Sequence, residues 1–169
     1  MNEAEKVISL NDLNEQGEIA LYEGKPFSGI GVEYFDNGQK EFEIYFKNGK
    51  QEGPQTRWYE NGQKQDKLHY KNGYLHGLVT NWYESGKKES EGLFKNGIQE
   101  GLVTIWHKNG RKWIEEHYIN GKQEGLHTEW YKNGLKEVEK NFRNGKLIDK
   151  RWFLINFLKA FLSGSTFEW

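Results

Sequence analysis

Along most of the chain, hydrophobic and polar positions alternate over runs of five to eight residues, and the whole pattern returns every 24 residues. With Gly29, Gly53, Gly77, Gly101 and Gly125 aligned, Tyr34, Trp58, Trp82, Trp106 and Trp130 follow five positions on. Lys40, Lys64, Lys88, Lys112 and Lys136 stand eleven positions on, and Phe46, Tyr70, Phe94, Tyr118 and Phe142 seventeen on. Two glycines close each unit's turns, nine and twenty positions on, as in Gly62 and Gly73. A fixed period of this length marks an array whose units bury their apolar surface only against their neighbours.

Period-two runs such as QTRWY, LVTNWY and LVTIWH, rich in aromatic and β-branched residues and bounded by Asn-Gly, predict β-hairpins. Two turns per unit predict two strands per unit. The expected fold is all-β: an elongated, twisted, single antiparallel meander sheet of about ten or more strands, built from five hairpin repeats. The repeats span 29–52, 53–76, 77–100, 101–124 and 125–148. Residues 1–28 form an N-terminal segment with a capping strand, and 149–169 an apolar cap or tail. In that tail Asn156, Lys159 and Ser163 recur at helical spacing among apolar residues, which predicts a short capping helix over the last strand.

Turn length decides which columns share a face, because a slip of one residue inverts every side chain. A three-residue loop such as Glu60-Asn61-Gly62, with glycine left-handed, pairs Trp58 with Lys64. It predicts the same pairing for Tyr34–Lys40, Trp82–Lys88, Trp106–Lys112 and Trp130–Lys136, with cation–π attraction inside each hairpin. It also puts the columns one, three, five, eleven and seventeen positions on together on one face. A rolled sheet with its Trp/Phe ladder on the concave side is the corresponding expectation.

Composition narrows the chemistry. A mean hydropathy of −0.96 resembles that of disordered chains, yet 15% of the residues are aromatic and recur at fixed places, so burial comes from few large rings. With 24 basic and 25 acidic residues, no general attraction for nucleic acid or anionic membrane is expected. No cysteine is present, so disulfides and thiol chemistry are absent. The first residues lack a signal-peptide apolar core and no run approaches membrane-spanning length; the expected location is the cytoplasm.

His69, His76, His107, His117 and His127 fall too far apart in the meander to share a metal and read as surface residues. Carboxylate pairs such as Glu41/Glu43 and Glu89/Glu91 recur among lysines, as a solvated face would. The serines lack a nucleophile context, and the glycines punctuate hairpins rather than cradle phosphates. No enzyme, cofactor or metal site is expected. The Trp/Phe ladder is read as core.

Units such as KNGKQEGPQTRWYENGQKQDKLHY and INGKQEGLHTEWYKNGLKEVEKNF resemble the MORN-repeat variant. The opening, with Leu13, Gly17, Tyr22 and GKPFSG, further resembles bacterial antitoxins of the YwqK group. The resemblance implies a non-catalytic binding module, an antitoxin or immunity-type protein whose partner is a protein toxin. The alternatives are a general scaffold or membrane-associated module, or a sugar or single-strand binder. Departures from the pattern are Ser85 for asparagine, His107 for the second aromatic and Trp113 in a polar column. Candidate partner-binding residues are Tyr59, Tyr83, Tyr131, His107 and Trp113, the tyrosines as exposed aromatics of the convex face; the oligomeric state is open.

Overall fold

The computed structural model describes residues 6–148. Ten strands follow one another as an antiparallel meander: Gly29–Tyr34, Lys40–Lys47, Lys50–Trp58, Lys64–Lys71, Gly77–Trp82, Lys88–Lys95, Ile98–Trp106, Lys112–Ile119, Gly125–Trp130 and Lys136–Arg143. Val7–Ser9 adds to the first of these in parallel, and Lys146–Ile148 to the last in antiparallel sense. The expected all-β meander of hairpin repeats is what forms. The capping helix expected within 149–169 lies outside the described residues.

Two turn types alternate, each demanded by its local sequence. At one edge the loops are three residues long: Tyr59 N–H donates to Gln63 O and Gly62 N–H to Tyr59 O, both at 2.8 Å, with Gly62 at φ 81°. At the other edge two-residue loops such as Asn72-Gly73 have both residues at positive φ, 52° and 83°, the type I′ geometry that suits strand twist. All five Tyr/Trp–Lys pairs stand opposite one another as expected, including Trp58 with Lys64 and Trp82 with Lys88.

One expectation fails. After each pair the register slips by one, so Arg57 faces Asp66, leaving Gln65 as an extra bulged residue. Glu41, Glu89, Trp113 and Glu137 bulge in the same way. The slip changes parity: Phe46, Tyr70, Phe94, Tyr118 and Phe142 pair with Gly29, Gly53, Gly77, Gly101 and Gly125. The Phe/Tyr column therefore lies on the side opposite the tryptophans, and no common Trp/Phe ladder exists. A second irregularity, two residues wide, separates Gln51 from Gln55 and Glu100 from Thr104, around Gly53 and Gly101 with φ 101° and 76°. Bulges of this kind bend the strands that carry them.

The core is thin, as one sheet layer dictates. Thr56, Thr80, Thr104 and Thr128 are buried at the third position of their units, beside Val32 and Val103. At the N-terminal end a separate three-stranded sheet, Asn14–Gln16, Ile19–Tyr22 and Lys25–Pro26, carries the buried Ala20. The buried Phe27 follows it, with its ring 5.8 Å from that of Phe46. Gly49 N–H donates to Phe27 O and Ala20 N–H to Gly49 O, joining the two sheets.

Candidate functional site: two faces of one sheet

The tryptophan face carries the repeated Trp and Lys columns and most of the Thr column. A registered row runs Val32, Glu43, Thr56, Lys67, Thr80, Glu91, Thr104, Glu115, Thr128, Glu139. Lys40–Glu43 and Lys88–Glu91 pair at 2.5 Å, and Lys112–Glu115 and Lys136–Glu139 form the equivalent ion pairs. Residues three apart point to opposite sides of an unbroken strand; the bulge brings them to one side. Cation–π contacts also form, but not between the Trp and Lys residues that face each other across a three-residue turn. Lys40, Lys88 and Lys112 lie over Trp58, Trp106 and Trp130 of the following unit, at 5.5, 5.6 and 5.9 Å. The lysine stem leans toward the next strand, so the contact links units instead of closing each one.

The three-residue turns form a second inter-unit ladder. Tyr59 and Tyr83 donate their hydroxyls to Trp82 O and Trp106 O at 2.8 and 2.6 Å. His107 Nε2 takes the hydroxyl's place, 2.9 Å from Trp130 O; the acceptor is a carbonyl, so that nitrogen carries the proton. Trp113 stacks on the His107 ring at 5.4 Å and 20°. Tyr59 and Tyr83 are half-buried, and burial raises both phenol pKa values. They are thus not the freely exposed aromatics the sequence suggested, whereas Tyr131 and Trp113 are 49% and 41% exposed. All five candidates lie along this one edge.

The opposite face holds, beside the constant Phe/Tyr column, a row that varies. A second registered row crosses all ten strands: Glu33, Phe42, Arg57, Asp66, Asn81, Ser90, Ile105, Ile114, Glu129, Val138. Its members occupy only two positions of the repeat, the fourth and the thirteenth; the thirteenth differs in every unit, and the fourth repeats only as Glu33 and Glu129 in the two end units. The Arg57 guanidinium sits 4.7 Å over the Phe42 ring, with Nη2 3.4 Å from Glu41 Oε1. Asp66 faces Arg57 across the strands, and burial raises its carboxyl pKa against the pull of that cation. Arg57 Nε and Asp66 Oδ1 are buried without a hydrogen-bond partner. Asn81 Nδ2 donates to Ser90 Oγ at 2.8 Å, and the row then turns apolar at Ile105 and Ile114.

Beside the row's acidic end lies a cluster the histidine reading missed. His127, 12% exposed, has Nδ1 2.9 Å from Glu116 Oε2 and Nε2 2.9 Å from Glu129 Oε1. Gln123 Nε2 and Tyr118 Oη also donate to Glu116, and Lys140 Nζ is 3.6 Å from Glu129. The hydrogen bond from His127 lowers the Glu129 pKa. His127 is therefore a tie between units rather than a loose surface residue. No group of three metal-ligating side chains comes together among the described residues, and none of their helices is long and apolar enough to cross a membrane. The one sign of this arrangement in the sequence is column variability, which does not say which columns meet.

A single-layer array with a repeated Trp–Lys face, and a unit-specific row beside the Phe/Tyr column on the other, defines a repeat-type binding module. The MORN repeat variant family model matches residues 28–48, 51–72, 75–96 and 99–120, more than half of the chain. The chain belongs to this family, whose repeats are protein- or membrane-binding modules and not enzymes. The fifth unit lies outside the matched ranges, although Trp130–Lys136 and Gly125–Phe142 repeat the same register. No individual curated protein matches the chain.

Proposed function

We propose that this protein is an antitoxin or immunity-type module that acts in the cytoplasm by holding a protein toxin on its variable face. The observation that carries the reading is the unbroken row from Glu33 to Val138, polar at Arg57–Ser90 and apolar at Ile105–Ile114. Such a row offers a partner an ordered sequence of different contacts on a rigid sheet, while the repeated columns offer the same contact five times. Tyr131 and Trp113, exposed at the turn edge, supply the aromatic anchors that dominate binding energy in protein interfaces. The near-neutral charge supports a protein partner over nucleic acid or lipid.

The test is co-expression with the product of the adjacent gene. Growth arrest by that product, relieved by this chain, is the expected result, with Ile105→Arg and Ser90→Arg abolishing relief and Leu102→Lys on the other face preserving it. A harmless neighbour, or relief indifferent to the row, overturns the proposal. Pelleting with anionic vesicles, expected to be negative, separates it from a membrane-associated role.

A further inference from the structure

We propose that the edge formed by the three-residue turns binds a second copy of this chain, antiparallel, about a two-fold axis at Ser85–Gly86. The first residue of each turn along this edge is Asp36, Glu60, Glu84, Lys108 and Lys132, all exposed. Charge is thus sorted by sign: three acids, then two bases. The residue after each turn glycine follows suit, with Gln39 and Gln63 neutral, then Lys87 and Arg111 cationic. Successive turns are two strands, about 10 Å, apart, so like charges in series repel along the edge. None of the five turn residues makes an ion pair among the described residues.

An edge sorted in this way is complementary to itself when reversed. With the axis at the middle turn, Asp36 faces Lys132 of the second copy and Glu60 faces its Lys108. At the axis Glu84 meets Lys87 of the second copy, and the symmetry repeats each pair, as a two-fold contact requires. A parallel arrangement would set like against like at every turn. Moving the axis to lie between the third and fourth turns leaves Asp36 unpaired and sets Lys87 against Arg111. The exception among the turn asparagines falls at the same place. Ser85 is the one residue of its column that is not asparagine, and the amide link that Asn37, Asn61 and Asn109 make to the next turn is missing there. On a two-fold axis a residue meets its own copy, so a short side chain lets the two middle turns approach. The contact is a narrow charged strip, smaller than the roughly 1,200 Å² at which stable interfaces begin, so the dimer is weak and salt-sensitive. It leaves the variable row open, and dimerisation and toxin binding therefore stand or fall separately.

Sedimentation of the full-length chain at up to about 1 mM should show a monomer–dimer equilibrium at low ionic strength that weakens at least tenfold in about 500 mM salt. Glu60→Lys with Glu84→Lys makes the middle of the edge basic, and Lys87→Glu with Lys108→Glu makes it acidic. Each variant alone should lose dimerisation at least tenfold, and an equimolar mixture of the two should regain it as a heterodimer. Mixing keeps the test decisive, since a variant that had merely failed to fold is not rescued by the other. Because the chain has no cysteine, Ser85→Cys reports the position of the axis. Mild oxidation should link it to its own copy at least tenfold faster than Asn133→Cys, which the axis places about 40 Å from its own copy. A chain that stays monomeric at low salt, a mixture that stays monomeric, or equal cross-linking rates overturn the proposal. So does dimerisation indifferent to both charge reversals, because the contact then lies elsewhere on the chain.

Discussion

Ser85→Asn should stabilise this protein, because it restores the one missing link in the turn ladder. In the other four units the turn asparagine accepts the N–H two residues on: Asn37 from Gln39, Asn61 from Gln63, Asn109 from Arg111 and Asn133 from Leu135, at 2.9–3.0 Å. Three of them also donate Nδ2 to the next turn, to Glu60 O, Glu84 O and Lys132 O at 3.1, 3.0 and 2.8 Å. At Ser85 the gap is bridged only by Lys87 Nζ, 3.4 Å from Asn109 O, and by Lys108 5.8 Å over the Tyr83 ring. The new amide gains two hydrogen bonds, each about 0.5–1.5 kcal/mol and near the lower limit at this exposed edge. A total of roughly 1–2 kcal/mol raises Tm by about 2–4 °C per kcal/mol in a chain of this size. Ser85 is not among the positive-φ residues, so no backbone change is needed. Thermal and urea unfolding of the variant, beside Asn61→Ser as the reverse change, measure both directions. An unchanged or lowered Tm for Ser85→Asn, or an Asn61→Ser loss below about 0.3 kcal/mol, refutes the ladder as a source of stability.

Tyr83→Phe removes the hydroxyl that reaches Trp106 O and should cost about 0.5–1.5 kcal/mol by urea unfolding, whereas Tyr131→Phe at an exposed end position should cost little. His127→Ala removes the tie between Glu116 and Glu129 and should cost about 1–2 kcal/mol near neutral pH. Because His127 depresses the Glu129 pKa, that carboxylate stabilises the fold above its unfolded value near 4.3, and the gain disappears as pH falls through the lower folded value. Acid titration of His127→Ala should therefore show a shallower loss below about pH 4.5. Asp66 is the reverse case: burial raises its pKa, so its charge opposes folding at neutral pH and ceases to do so in acid. Asp66→Asn should raise Tm at pH 7 and leave it unchanged at pH 3; equal shifts at both values refute the desolvation account.

What the sequence by itself determined was everything a single hairpin decides locally. The period, the strand count, the three-residue turns and the Trp58–Lys64 type of pairing follow from Asn-Gly chemistry and column spacing. Only the tertiary structure decided what crosses from one strand or unit to another. The bulge at Gln65 and its equivalents inverts parity and sends Tyr70 to the other face from Trp58. The lysines reach the next unit's tryptophan instead of their own partner. His107 replaces a tyrosine in a hydrogen bond 23 residues long in sequence. The variable row is legible as variation in two columns, but not as a row, since the fourth and thirteenth positions meet only through the pairing of successive strands. Turn conformation depends on two or three adjacent residues, whereas inter-unit register depends on bulges and side-chain reach across strands, which no single window of sequence contains.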